Sequence, residues 1–197
     1  MISKAELKTI LKPLSDDRRK ARNQKAIQDR LKACTKNADG TYSSEGDVDL
    51  SSWALDKLPV KFKEVGGNFF CYDNNLTTLE GAPEEVGGNF SCGYNNLTSL
   101  KGAPKIVKGY FSCYNNQLTT LEGSPEEIGD SFICNNNQLT TLEGGPKKVG
   151  GDFYCHRNKL TTLEGAPETL GGGYLVCSHN PVSQEELKKT VKREYLK

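Results

Sequence analysis

Along residues 66–182 the apolar positions recur with a period far longer than a helical turn. Phe90 and Cys92 stand two apart, with Leu97 and Leu100 after them. Phe111, Cys113, Leu118 and Leu121 repeat that set 21 residues later. Within each set Phe and Cys alternate with other residues, the period of a short strand with one buried face. The two leucines close the coil from the opposite side. Val65, Val86, Val107, Ile128, Val149 and Leu170 fill the remaining corner. A chain that rewrites one phrase in this way predicts a solenoid, each unit burying its apolar side against the next.

The cysteines Cys71, Cys92, Cys113, Cys134, Cys155 and Cys177 give spacings of 21, 21, 21, 21 and 22, the extra residue falling in Gly171-Gly172-Gly173. Three places after each stands Asn74, Asn95, Asn116, Asn137, Asn158 or Asn180. Stacked amides of this kind predict a ladder that satisfies backbone groups where the chain turns. Gly81 and its copies permit a positive φ at a corner. Pro83 and its copies predict a returning wall without hydrogen bonds. Shifted back by one unit, Val48, Leu50, Leu55 and Leu58 fill the apolar slots and Trp53 takes the Asn slot. This marks a degenerate first coil, its large ring placed to cover the open end. Seven strands predict an array roughly 30 Å long.

The frame F-x-C-x-x-N-x-L resembles the leucine-rich repeat, with Phe and Cys in its first two Leu slots. The resemblance covers residues 47–182. The short unit and the phrase "LEGAPEEVGG" resemble the repeats of secreted bacterial effectors and of tailed-bacteriophage proteins. The resemblance implies an α/β solenoid with parallel strands on a concave face, N-terminal helices and a C-terminal capping helix. It also implies a binding module rather than an enzyme.

The flanks differ from the array. Residues 3–12 and 15–34 predict two helices, the first opened by Ser3…Glu6 and broken at Pro13. Residues 35–46 read as a linker, so 1–46 form one segment, 47–182 the solenoid and 183–197 a helix opened by a Ser183…Glu186 capping box. Net charge is +1, but residues 1–40 carry 11 Lys/Arg against 5 Asp/Glu and 181–197 carry 5 against 3, so the middle holds 1 − 6 − 2 = −7. A basic head on an acidic body argues against general nucleic-acid binding by the array. It keeps that option for Arg18, Arg19, Lys20, Arg22 and Lys25, through phosphate contacts.

One Cys per coil, all facing one way, suits neither disulfides nor the paired spacing of zinc sites. The six read as small buried hydrophobes with free thiols, in a reducing compartment. Cys34, between Lys32 and Lys36, lacks a nearby base in sequence, since His156 and His179 lie far along the array. The Glu80, Glu122, Glu143 and Glu164 column reads as a solvated edge rather than a cation site. No cofactor and no metal is expected.

Aromatic residues stand where core periodicity does not ask for them: Phe70, Tyr72, Tyr94, Tyr110, Tyr114, Tyr154 and Tyr174, with His156, Arg157 and His179. Tyr is large, rigid and able to hydrogen-bond, which suits contact with a partner. Strand propensity also favours it. The expectation is a non-enzymatic protein–protein interaction module that grips one partner on its concave aromatic face. The resemblance makes that partner a host protein. The alternative is nucleic-acid or acidic-partner binding by the basic head, with the repeats as scaffold. No stretch spans a membrane and the start lacks a signal peptide's apolar core, so the expected location is cytoplasmic, the host cytoplasm if viral.

Overall fold

The structure, a computed structural model, describes residues 25, 27 and 29–190, with side chains through 187. The chain divides into two compact units, Met1–Cys34 and Thr35–Lys197. In the first, Lys25, Ile27 and residues 29–31 are helical. Lys32 Nζ pairs with Asp29 at 2.6 Å on its surface. Residues 32–34, predicted as the end of the second helix, form a turn instead, and the rest of the two predicted N-terminal helices, including Arg18, Arg19, Lys20 and Arg22, lies outside the described residues.

The second unit is a parallel β-solenoid of about six turns. Each coil contributes one short strand to each of two sheets. The front sheet contains β3 (Val48–Asp49), β5 (Phe69–Phe70), β7 (Phe90–Ser91), β9 (Phe111–Ser112), β11 (Phe132–Ile133), β13 (Phe153–Tyr154) and β15 (Leu175–Val176). The back sheet contains β1 (Thr35–Lys36), β2 (Tyr42–Ser44), β4 (Phe62–Val65), β6 (Glu85–Val86), β8 (Ile106–Val107), β10 (Glu127–Ile128), β12 (Lys148–Val149) and β14 (Thr169–Leu170). Register is strict: Phe69 pairs with Phe90, Phe90 with Phe111, and Val65 with Val86.

Three expectations are corrected here. The α/β class gives way to an all-β array. Between Pro83 and Gly87 only Glu84, Glu85 and Val86 remain, too few for a helical turn that buries a face. The returning wall is not free of hydrogen bonds either. Lys105 N donates to Glu84 O at 2.8 Å, Gly87 N to Val65 O at 2.8 Å, and so on up the stack. Nor is 35–46 a linker. Asn37 N donates to Thr41 O at 2.8 Å, closing a hairpin whose β2 continues the back sheet beside β4. Its β1 runs antiparallel and ends that sheet.

The core lies between the sheets. Phe69, Phe90, Phe111, Phe132 and Phe153 are fully buried, their ring centroids 5.0–5.7 Å apart from one coil to the next. The leucine pairs and the Val column are buried with them. None of the seven cysteines is in a disulfide, and the six of the array are buried. Burial pushes their pKa values up, so they stay protonated and inert. The corner glycines Gly81, Gly102, Gly123, Gly144 and Gly165 hold φ between 79° and 95°, as the turn demands.

The Asn ladder joins coils lengthwise. Asn95 Nδ2 donates to Cys71 O and Cys92 O at 3.0 Å each, and its Oδ1 accepts Leu76 N–H at 2.9 Å. Asn74, Asn116, Asn137, Asn158 and Asn180 repeat the arrangement. In the degenerate coil Trp53 supplies no amide, and Asn74 Oδ1 accepts the backbone N–H of Trp53 and Leu55 at 3.0 and 2.9 Å. At the other end a helix occupies Gln184–Thr190, the last of the described residues. Ser183 Oγ accepts Glu186 N–H at 3.1 Å, half of the predicted box. The Glu186 carboxylate instead faces the array, taking Thr162 Oγ1 at 2.8 Å and Leu163 N at 3.3 Å.

Candidate functional site

The outward positions of the front sheet fall into columns. Each strand has only two residues, and the chain turns just after Cys. Tyr94, Arg157 and His179, expected on the concave strand face, hold φ of 50–56° in the left-handed region, as do Asp73, Asn115 and Asn136 in the same column. They form a corner column beside the sheet rather than part of it. Asn and Asp suit that conformation, while Tyr94 and Arg157 hold it at a steric cost.

Five of the predicted residues come together. Tyr94 and Tyr114 meet edge to face, centroids 5.0 Å apart at 74°. Phe70 and Tyr72 lie 6.2 Å apart at 60°. Partial burial pushes both the Tyr110 and Tyr114 phenols above their ordinary range, helped by Tyr72 at Tyr110 and by Tyr94, Tyr72, Tyr110 and Asp73 at Tyr114. The rings lie over small residues. The Tyr114 ring sits against Gly93, where even a methyl group would collide with it. Ser91 and Ser112, on the same outward face, are 6% and 3% exposed. Tyr94 remains 53% exposed and Tyr72 37%. The result is one continuous aromatic patch over coils two to four, with a floor of Ser and Gly that sequence reading did not assign.

The other predicted residues form a separate group nearer the C-terminal end. Tyr154 and His156 meet at 6.4 Å and 86°, and Tyr154 Oη donates to Asp152 Oδ2 at 2.6 Å. That hydrogen bond, with partial burial, raises the phenol's pKa. Burial lowers the pKa of His156, helped by Arg157 and His179, and its Nδ1 is buried without a hydrogen-bond partner. Tyr174 is exposed in the last coil, its N–H held by Asp152 Oδ1 at 2.7 Å. Lys25 is exposed in the N-terminal unit.

A second polar ladder frames the patch. Asp47 Oδ1 accepts Asn68 N–H at 2.7 Å, Asn68 Oδ1 accepts Asn89 N–H at 2.8 Å, and Asn89 Oδ1 accepts Tyr110 N–H at 2.9 Å. It stops at Tyr110, whose side chain cannot pass the pattern on, and resumes from Ser131 to Asp152. The Asp/Asn run one place before each core Phe was the available signal. Tyr110 is therefore an interruption of a structural column by an aromatic ring.

Among the described residues no group of three His, Cys, Asp or Glu side chains is placed to hold a metal, and no helix is long and apolar enough to cross a membrane. No protein-family model, curated protein or solved structure matches the chain.

Proposed function

We propose that the protein is a non-enzymatic interaction module that docks a protein partner on the front sheet, with Phe70, Tyr72, Tyr94, Tyr110 and Tyr114 as contact residues. The observation that carries this reading is the aromatic patch itself. Five rings gather on an outward face, and no ring there is needed to fill the core. Rigid aromatics with hydroxyl tips supply contact area at low entropic cost. Tyr154, His156, Arg157, Tyr174 and His179 extend the same face toward its far end. The helix after residue 183 closes the stack, and Glu186 is its working contact. The likeness of the repeats to effector and phage arrays makes a host protein the target and a cytoplasm the setting.

The test uses substitutions drawn from the same columns. Ser178 occupies the Tyr72 column, Asn115 that of Tyr94 and Asn135 that of Tyr114. A Tyr72→Ser, Tyr94→Asn, Tyr114→Asn triple variant therefore keeps the coil geometry. It is expected to keep its circular dichroism and lose the partner captured by the wild type from the native host. Undiminished capture sinks the proposal.

A further inference from the structure

The charges around the patch are one-sided. The front positions of the first five coils, residues 47–52, 68–73, 89–94, 110–115 and 131–136, contain Asp47, Asp49 and Asp73 and no Lys, Arg or His. Basic front residues begin only at His156 and Arg157, in the sixth coil. Asp73 is exposed at the corner beside Tyr72. Its Oδ2 accepts the Ser52 hydroxyl at 2.8 Å, and no cation pairs with it among the described residues. Elsewhere in this unit exposed carboxylates do find lysines, as Glu84, Glu126 and Glu127 do on the back sheet.

We infer that the aromatic patch receives arginine side chains from a basic, extended segment of the partner, with the Tyr faces stacking on the guanidinium and Asp73 taking its charge. Tyr rings carry negative faces, and a cation over them is attracted. The Tyr94–Tyr114 pair, set at 74°, offers ring surface in two directions. A guanidinium fits better than an ammonium because it is planar, stacks flat and bonds a carboxylate through two N–H groups. The same carboxylates repel a phosphate backbone, so this face disfavours nucleic acid.

The inference rests on the docking role proposed above, and its test separates the two. Fluorescein-labelled Gly-Ser peptides bearing arginine, lysine, glutamate or leucine would be titrated into the full chain by anisotropy at low and moderate salt. The arginine peptide is expected to bind most tightly, lysine more weakly, and glutamate and leucine not measurably. Added salt is expected to weaken the arginine complex. Asp73→Asn and Tyr94→Asn are each expected to weaken it about two- to fivefold, the scale of one exposed cation–π or ionic contact. Equal binding of the leucine peptide, or an unchanged arginine affinity in both variants, overturns the inference. Self-association in sedimentation that Asp73→Asn abolishes would also overturn it, by making a second copy the occupant. If Asp73→Asn retains the host partner while the triple Tyr variant loses it, the docking face stands and the arginine preference falls.

Discussion

Asn116 shows how much one side chain does in this array. Its Nδ2 donates to Cys92 O at 3.0 Å and Cys113 O at 3.1 Å, and its Oδ1 accepts Leu97 N–H at 3.0 Å. Asn116→Ala leaves the buried Leu97 N–H without its acceptor, while Cys92 O and Cys113 O keep the amides of Asn95 and Asn137, at a cost of roughly 2 kcal/mol, measurable by chemical denaturation. The thiol beside it does something simpler. If Cys113 is only a small hydrophobe, Cys113→Ala is expected to cost about 1 kcal/mol and Cys113→Ser more, because a hydroxyl there is desolvated. His156 gives a pH dependence. Its folded pKa lies below the ordinary 6.5, so the unfolded chain takes up the proton first as pH falls. Its contribution is complete above about pH 6.5 and declines as pH drops toward the folded value. Thermal melts of wild type and His156→Asn, the residue found one coil earlier at Asn135, should agree in neutral buffer and diverge in mild acid, with the wild type falling faster. At this scale the sequence was well read where a column was uniform, as with Asn and Cys. It was misread at Tyr94, Arg157 and His179, because a mixed column hides a shared left-handed backbone.

Between elements, the contrast is between contacts that matter and contacts that merely match. The back sheet carries Lys63, Glu84, Lys105, Glu126, Lys147 and Glu168 in one alternating column. Lys105–Glu84 and Lys147–Glu126 pair at 3.4 and 3.3 Å on the exposed surface. Lys105→Gln is expected to change stability by less than about 0.5 kcal/mol. Alternation keeps like charges from stacking, which is its greater use. Glu186 is different. In the body of the array Thr141 Oγ1 and Leu142 N both bond Glu164 O, the carbonyl of the next coil, at 3.0 and 2.9 Å. One coil later Thr162 Oγ1 and Leu163 N bond Glu186 Oε1 instead. A side-chain oxygen stands where the missing coil's carbonyl would be. Glu186→Ala is expected to cost about 1–2 kcal/mol and speed hydrogen exchange at Leu163, while Glu186→Gln keeps much of the effect through its own Oε1. The capping-box spacing drew attention to Glu186 but aimed it at its own helix. The back sheet was missed in sequence, since each coil gives it a single inward Val, Ile or Leu, which sets no alternation, and the recurring prolines argued against hydrogen bonds there.

For the whole molecule, free thiols report on integrity. Cys34 is partly exposed outside the array and the other six are buried. A thiol reagent under native conditions is expected to modify Cys34 first, Cys177 slowly, and the remaining five only on unfolding. Early labelling of Cys113 would mean the stack is open. Period, direction of coiling and inward residues were all legible, because repetition multiplies a weak signal. The aromatic patch was half legible: its members stood out as unexplained, but their separation from the Tyr154–His156 group by the ring-free front of the fifth coil, Ile133, Asn135 and Asn136, was not drawn.

The amide ladder also gives the array an arrow. Each Asn bonds carbonyls of its own coil and of the one before it, and accepts an N–H only from the one before. Every unit is thus finished by its successor. Trimming from the front strands an amide in solvent, which water satisfies. Trimming from the rear leaves buried peptide groups of the surviving unit with nothing to meet them. Additional 21-residue units belong in the interior, ahead of the stretch that supplies Asn180 and Glu186, where both neighbours are already written in the same phrase.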